Sequence, residues 1–254
     1  MPPRGVKRAL AQTAPARATR SAKYGFVFRV GKDKRAGARL RGVTRLLQKR
    51  VWSKGALPAK ALFGEENKGG QWKGPSGGKR RGSAVDAQVC RLASMSEARR
   101  RPAKKLRLVD LIFRALHTQG LEPVMGQRVV CDSSRGLGTA VDLVCSRGDA
   151  LVLLELKTGY SGDRTLSAKS GGQNAKMQFP FRTANDTILN RHMAQLTATT
   201  AMFVKEIGTL QRLSALGLKR VEAALLYATN DDVELHPLPE WWHKRGDRLL
   251  EALQ

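Results

Sequence analysis

The sequence predicts an α/β (α+β) fold, a central mixed sheet flanked by helices, behind a basic N-terminal extension. Three observations predict it. Periodic segments from residue 82 onward run helix, three antiparallel strands, helix, strand, strand, helix. Charge is unevenly divided: residues 1–107 hold 29 Lys/Arg against 5 Asp/Glu, and residues 108–254 hold 17 against 16. A near-neutral domain thus follows a strongly basic segment, and the formal charge of the whole is +25. Finally, two apolar strand-like runs flank the turn Ser146-Arg147-Gly148-Asp149.

Taken in order, residues 1–23 contain no acidic residue and read as disordered. Tyr24–Val30 reads as a short strand or anchor, Val43–Val51 as a short basic helix, and Lys68–Gly82 as a Gly-rich loop. We assign residues 1–80 to a largely disordered or irregular extension and 81–254 to the domain. Ala84–Ala93 reads as a helix capped by Ser83, and Leu108–His117 as a second, with Val109, Ile112, Phe113 and Leu116 on one face. Leu121–Cys131 is the first strand, ahead of the hairpin. Ser161–Pro180 is polar and glycine-bearing, a flexible loop by composition. Asp186–Ile207 is a long helix, Val221–Thr229 and Val233–Leu238 are strands, and Glu240–Leu253 closes as a helix.

Composition narrows the function. A 41% hydrophobic fraction permits a core, and no run approaches the roughly 18 apolar residues of a membrane span. We expect no membrane partner and an intracellular protein, in a nucleus or mitochondrion or of viral origin. Cys90, Cys131 and Cys145 are scattered, which argues against a disulfide framework or a zinc site. The basic segment calls for a polyanion, with nucleic acid the first candidate. Arg80, Arg81 and the run Arg99, Arg100, Arg101 lie where they could contact its backbone.

The hairpin carries the chemistry. Asp142, Glu155 and Lys157 sit in otherwise apolar strands, where an unpaired charge is costly. Strand side chains alternate, so Leu151, Leu153, Glu155 and Lys157 share one face. A turn centred on Arg147-Gly148 sets Asp142 opposite Leu153 and diagonal to Glu155, about 7–8 Å away. Two such carboxylates can bridge a small hard cation, Mg²⁺ or Mn²⁺, with Lys157 beside it.

Asp, a turn, then Glu-x-Lys resembles the PD-(D/E)xK nuclease superfamily, with Val141 in place of the usual Pro. The resemblance covers roughly residues 82–230 and implies a restriction-endonuclease-like core. Gly82-Ser-Ala-Val-Asp86 is similar to the helix that precedes the core in the RecB-like and lambda-exonuclease-like branch, which implies that Asp86 touches the metal. Arg191-His192-Met193-Ala194-Gln195-Leu196 resembles that branch's Gln helix, although Thr199 and Thr200 occupy the turn where a Tyr is usual. The resemblance implies a DNA nuclease, an exonuclease of repair, recombination or replication. Asp142, Glu155, Asp86 and the carbonyl of Leu156 would hold the metal, and Lys157 and Gln195 would complete the catalytic set. His192, three residues before Gln195 on the same helix face, could contact a phosphate or be a satisfied structural histidine. A junction-resolving endonuclease of the same fold and a non-catalytic basic nucleic-acid-binding protein are the rival readings.

Overall fold

Alternating apolar strands form the middle of an eight-stranded sheet. A computed structural model of the chain describes residues 5–12, 16–21, 25–30, 38–62 and 77–254. Its first part contains α1 (Val6–Gln12), β1 (Ala16–Ser21), β2 (Gly25–Val30), β3 (Ala38–Gly42), α2 (Val43–Arg50) and α3 (Ala59–Leu62). Then come α4 (Gly77–Ala93), α5 (Glu97–Arg100) and α6 (Arg107–Thr118), followed by the meander β4 (Glu122–Asp132), β5 (Leu137–Arg147) and β6 (Ala150–Thr158). A small hairpin of β7 (Lys169–Ser170) and β8 (Gln173–Asn174) leads to α7 (Ile188–Lys205) and α8 (Ile207–Ser214). The chain closes with β9 (Arg220–Ala228), β10 (Val233–Pro237), α9 (Glu240–His243) and α10 (Gly246–Ala252).

The sheet runs β1-β2-β3-β5-β6-β9-β10, with β4 also paired to β5. It is mixed: β3–β5 and β6–β9 are parallel, and the other pairs in it are antiparallel. Helices cover both faces. On one face Val144, Leu151 and Leu153 pack with Met193, Leu196 and Phe203 of α7 and with Leu249 and Leu250 of α10. On the other, Leu143, Cys145, Val152 and Leu154 pack with Val85 and Val89 of α4 and Val109, Ile112 and Leu116 of α6. The odd–even split along β6 is the alternation expected of a strand buried on both faces. No helix among the described residues is long and apolar enough to cross a membrane.

One edge of β5 has an opening. β4 runs along the other edge for its whole length. The open edge bonds β3 at Leu137 and Gly138 and β6 from Leu143 to Arg147, and residues 139–142 between them pair with neither strand.

Several expectations need correction. The hairpin register pairs Arg147 with Ala150 and Leu143 with Leu154, which brings Asp142 level with Glu155 rather than Leu153. That pairing leaves Gly148 and Asp149 as the two loop residues, with Gly148 at φ 58° and Asp149 outside the left-handed region. Glycine at the first central position is what a type II′ turn requires. α4 begins at Gly77, so Ser83 lies inside it and the tail of the expected Gly-rich loop is helical. Tyr24 and 63–76 lie outside the described residues. Segment 161–180 packs rather than standing free: Ala168, Ala175 and Met177 are buried, and Ala168 N–H bonds the carbonyl of Asp186 at 2.7 Å. The closing helix is two short ones, α9 and α10.

The residues before position 80 enter the main core. Residues 6–12, expected to be disordered, form α1, and its Val6 and Leu10 join Val43, Leu47 and Val51 in the cluster that includes α7. Asp186, fully buried, ties these parts together. It accepts from Arg191 at 2.7 Å, from the Ser53 amide at 2.9 Å and from Ser53 Oγ at 2.5 Å. If α2 and the sheet unfold as one unit, Leu47→Ala should cost about 2–5 kcal/mol. We expect one calorimetric transition shifted to lower temperature, not a separate early melt of the N-terminal part.

Candidate active site

A cleft of about 620 Å³ sits at the opening in the sheet. Thr139, Ala140 and Asp142 of the unpaired stretch line it, together with Asp86, Gln127 and Gln195. Its remaining wall comes from β3 and α2 and includes Arg41, Arg45 and Lys49. Those three cations belong to the basic extension, whose composition alone gave no reason to place them at the carboxylates.

Each polar side chain is held by a traceable contact. Beyond Leu154, β6 is free of β5, and the amide of Leu156 donates to Asp142 Oδ2 at 2.9 Å across the opening. In an extended strand the N–H and C=O of one residue leave on the same edge, so the Leu156 carbonyl also points toward the opening. Glu155 is buried, at 2% exposure. Its Oε1 accepts from Lys157 Nζ at 2.7 Å and from Gln195 Nε2 at 2.5 Å. Lys157 Nζ also donates to Gln195 Oε1 at 3.3 Å, closing a triangle of Glu, Lys and Gln. The other oxygen, Glu155 Oε2, is buried without a hydrogen-bond partner. A buried carboxylate oxygen with no donor is expensive.

α4 brings the third carboxylate. Gly82 lets the helix approach the end of β6: a Cβ there would stand 3.1 Å from Thr158 Oγ1. Asp86, one turn later, accepts from Gln127 Nε2 at 2.8 Å. Gln127 is the described non-glycine residue with positive φ, 49°, in the middle of β4. It follows Gly126, where a Cβ would fall 2.5 Å from Cys90 Cα. The sequence reading missed Gln127; an isolated glycine inside a strand pattern was the available signal for such a kink.

The electrostatics are those of crowded negative charge. Burial, Glu155 and Asp86 push the Asp142 carboxyl well above its ordinary range, against the pull of Lys157 and the Leu156 amide. Burial alone would lower Lys157, but Glu155 and Asp142 outweigh it and hold the ammonium protonated above its usual value. Among the described residues no three His, Cys, Asp or Glu side chains are already arranged as a metal-ligand set. One oxygen of each carboxylate is instead turned onto a protein donor.

The structure therefore brings Asp86, Asp142, Glu155, Lys157 and Gln195 together and leaves other predicted residues elsewhere. His192 is a correction. It is buried, it bonds Tyr227 Oη through Nδ1 at 2.7 Å, and it packs edge-on against Tyr160. Burial, with Lys157, Arg164 and Arg191 nearby, holds it neutral well below the usual imidazole value, so it is a core side chain and not a phosphate contact. Arg99–Arg101 do not reach the cleft. Arg100 and Arg101 line a different hollow with Glu97, Asp110 and Glu122; Arg101 pairs with Glu97, and Arg100 lies over Phe113 and 3.8 Å from Glu122. Arg80 is exposed and Arg81 buried on α4.

Asp142 yields a prediction. Its folded pKa exceeds the unfolded one, so the fold binds its proton more tightly, and the penalty of its charge is absent below the ordinary carboxylate range and grows as pH rises through the elevated value. Asp142→Asn should raise the melting temperature of metal-free protein at neutral pH and flatten its fall with rising pH. A melting curve unchanged in both respects would refute the crowding. A scan of family models and a search of curated proteins find no match to this chain, which leaves side-chain geometry as the ground for its function.

Proposed function

We propose that the cleft is the active site of a Mg²⁺- or Mn²⁺-dependent DNA nuclease of the PD-(D/E)xK kind, with a restriction-endonuclease-like core, acting as an exonuclease in repair, recombination or replication. The observation that carries this reading is the unpartnered, buried Oε2 of Glu155, whose carboxylate together with that of Asp86 crowds Asp142. Three carboxylates crowded together with one oxygen unsatisfied fit a hard divalent cation, which prefers oxygen ligands.

Asp142, Glu155 and Asp86 would hold the metal, with the Leu156 carbonyl as a further ligand. When bound, the metal activates a water and neutralises charge on a phosphoryl oxygen. The rest is done by the chain. Lys157 stays protonated, so it acts as a fixed positive charge toward the developing phosphorane rather than as a neutral base. Gln195 holds Glu155 with its amide nitrogen and Lys157 with its amide oxygen, setting the direction of both. The Leu156 amide orients Asp142, and Gln127 orients Asp86. Arg45 and Lys49 offer the substrate phosphates a cationic wall opposite the carboxylates.

The test is incubation with linear and circular duplex DNA in Mg²⁺, Mn²⁺ or EDTA. We expect metal-dependent loss of linear DNA only. Lys157→Ala should lower kcat by about 10²–10³-fold while DNA binding persists. Cutting of the circle would indicate an endonuclease. Binding without cleavage in any metal, or normal cleavage by Lys157→Ala, would overturn the assignment.

A further inference from the structure

Lys49 lies on a ridge shared by two cavities. One is the active-site cleft; the other is a groove of about 950 Å³ between the end of α2 and the segment around 170–182. Lys49, Arg50, Lys54, Lys176 and Arg182 line the groove, and no Asp or Glu does. Among the described residues none of the five is paired with a carboxylate. Arg50 donates to the carbonyl of Ala252 at 3.2 Å, Lys176 to Asn185 Oδ1 at 2.7 Å, and Arg182 lies 6.0 Å from the Phe179 ring. These partners are neutral, so among the described residues no carboxylate offsets the positive charge of the groove. The Arg99–Arg101 hollow is different in kind, because three acids line it.

The two walls are fixed to each other by backbone. Ala56 and Lys169 exchange N–H···O bonds of 3.2 and 2.9 Å, and Gln178 N–H bonds the carbonyl of Val51 at 2.6 Å. Gly55 permits the approach, since a Cβ there would stand 2.8 Å from Lys169 O. A ligand therefore meets a shape already formed, which lowers the ordering cost of binding.

We propose that this groove carries the sugar–phosphate backbone of a DNA strand as it leaves the cleft over Lys49. The proposal rests on the nuclease reading for the direction of the strand, from carboxylates to groove. Recognition is by charge. Trp52, the aromatic ring lining the groove, is partly buried and covered by the Arg191 guanidinium at 5.0 Å, so it is not an open stacking platform. The groove holds on to DNA beyond the scissile phosphate, independent of sequence.

The test measures binding without cleavage, in EDTA with the Glu155→Gln background. Fluorescent single strands of about 6 and about 30 nucleotides, spanning less and more than a usual strand-binding site, are titrated across salt. The groove variant is Lys54→Ala/Lys176→Ala/Arg182→Ala. We expect the affinity gained by the longer strand to fall at least about tenfold, and the log–log salt slope to become shallower by about two, near 0.7 per lost phosphate contact. Lys54→Glu/Arg182→Glu, which keeps the Lys176–Asn185 bond, should show the same loss with an unchanged melting temperature. An unchanged slope and length dependence in both variants would overturn the groove. Failure of the nuclease reading shows separately, as intact length-dependent binding by a wild-type protein that cuts nothing.

Discussion

Four residues of β5 without a strand partner on one edge determine how the rest of the site is built. Residues 139–142 fall between the pairing with β3 and the pairing with β6. Backbone groups left in such a gap must be answered by water, side chains or ligand. Here the gap becomes the floor of a cleft, and the Leu156 amide, released from β5, is satisfied by Asp142 instead. That bond places one carboxylate at the opening, with Glu155 level with it on the neighbouring strand. The cluster is electrostatically unfavourable by itself. The fold tolerates it because Lys157 and Gln195 tie down one oxygen of Glu155, and because two apolar cores clamp the strands from both faces. Sites that bind cations commonly give up stability in this way.

The basic N-terminal part is more than a source of charge. α2 buries Val43 and Leu47 in the main core and turns Arg45 and Lys49 to the cleft, so one short helix supplies both packing and a cationic wall. Asp186 fastens the segment after α2 to the start of α7, the helix that carries Gln195. The cationic wall and the Gln195 amide therefore share an anchor.

Much of the site was legible in the sequence. Asp142, Glu155 and Lys157 stood out because charges in apolar strands need a reason, and strand alternation placed Glu155 and Lys157 on one face. The hairpin register was off, since Gly148 can serve either central position of a two-residue turn and only the strand pairing decides. Asp86 came from the resemblance of Gly82-Ser-Ala-Val-Asp86 to a nuclease helix, and in the structure Gly82 lies close to Thr158. His192 stayed open between a phosphate contact and a structural histidine because helical spacing shows which residues share a face but not what that face meets; Tyr227 and Tyr160 claim it. Gln127 depends on a kink in β4, and Arg45 and Lys49 on where β3 joins the sheet. Both are tertiary facts without local signature.

The most direct measurement is Mn²⁺ titration of metal-free protein followed by electron paramagnetic resonance, with wild type beside Glu155→Gln. The account predicts saturable uptake of about one or two ions per chain by wild type, lost in the variant. Wild-type uptake no greater than that of Glu155→Gln would contradict it, because the buried Glu155 oxygen would then have no cation to meet.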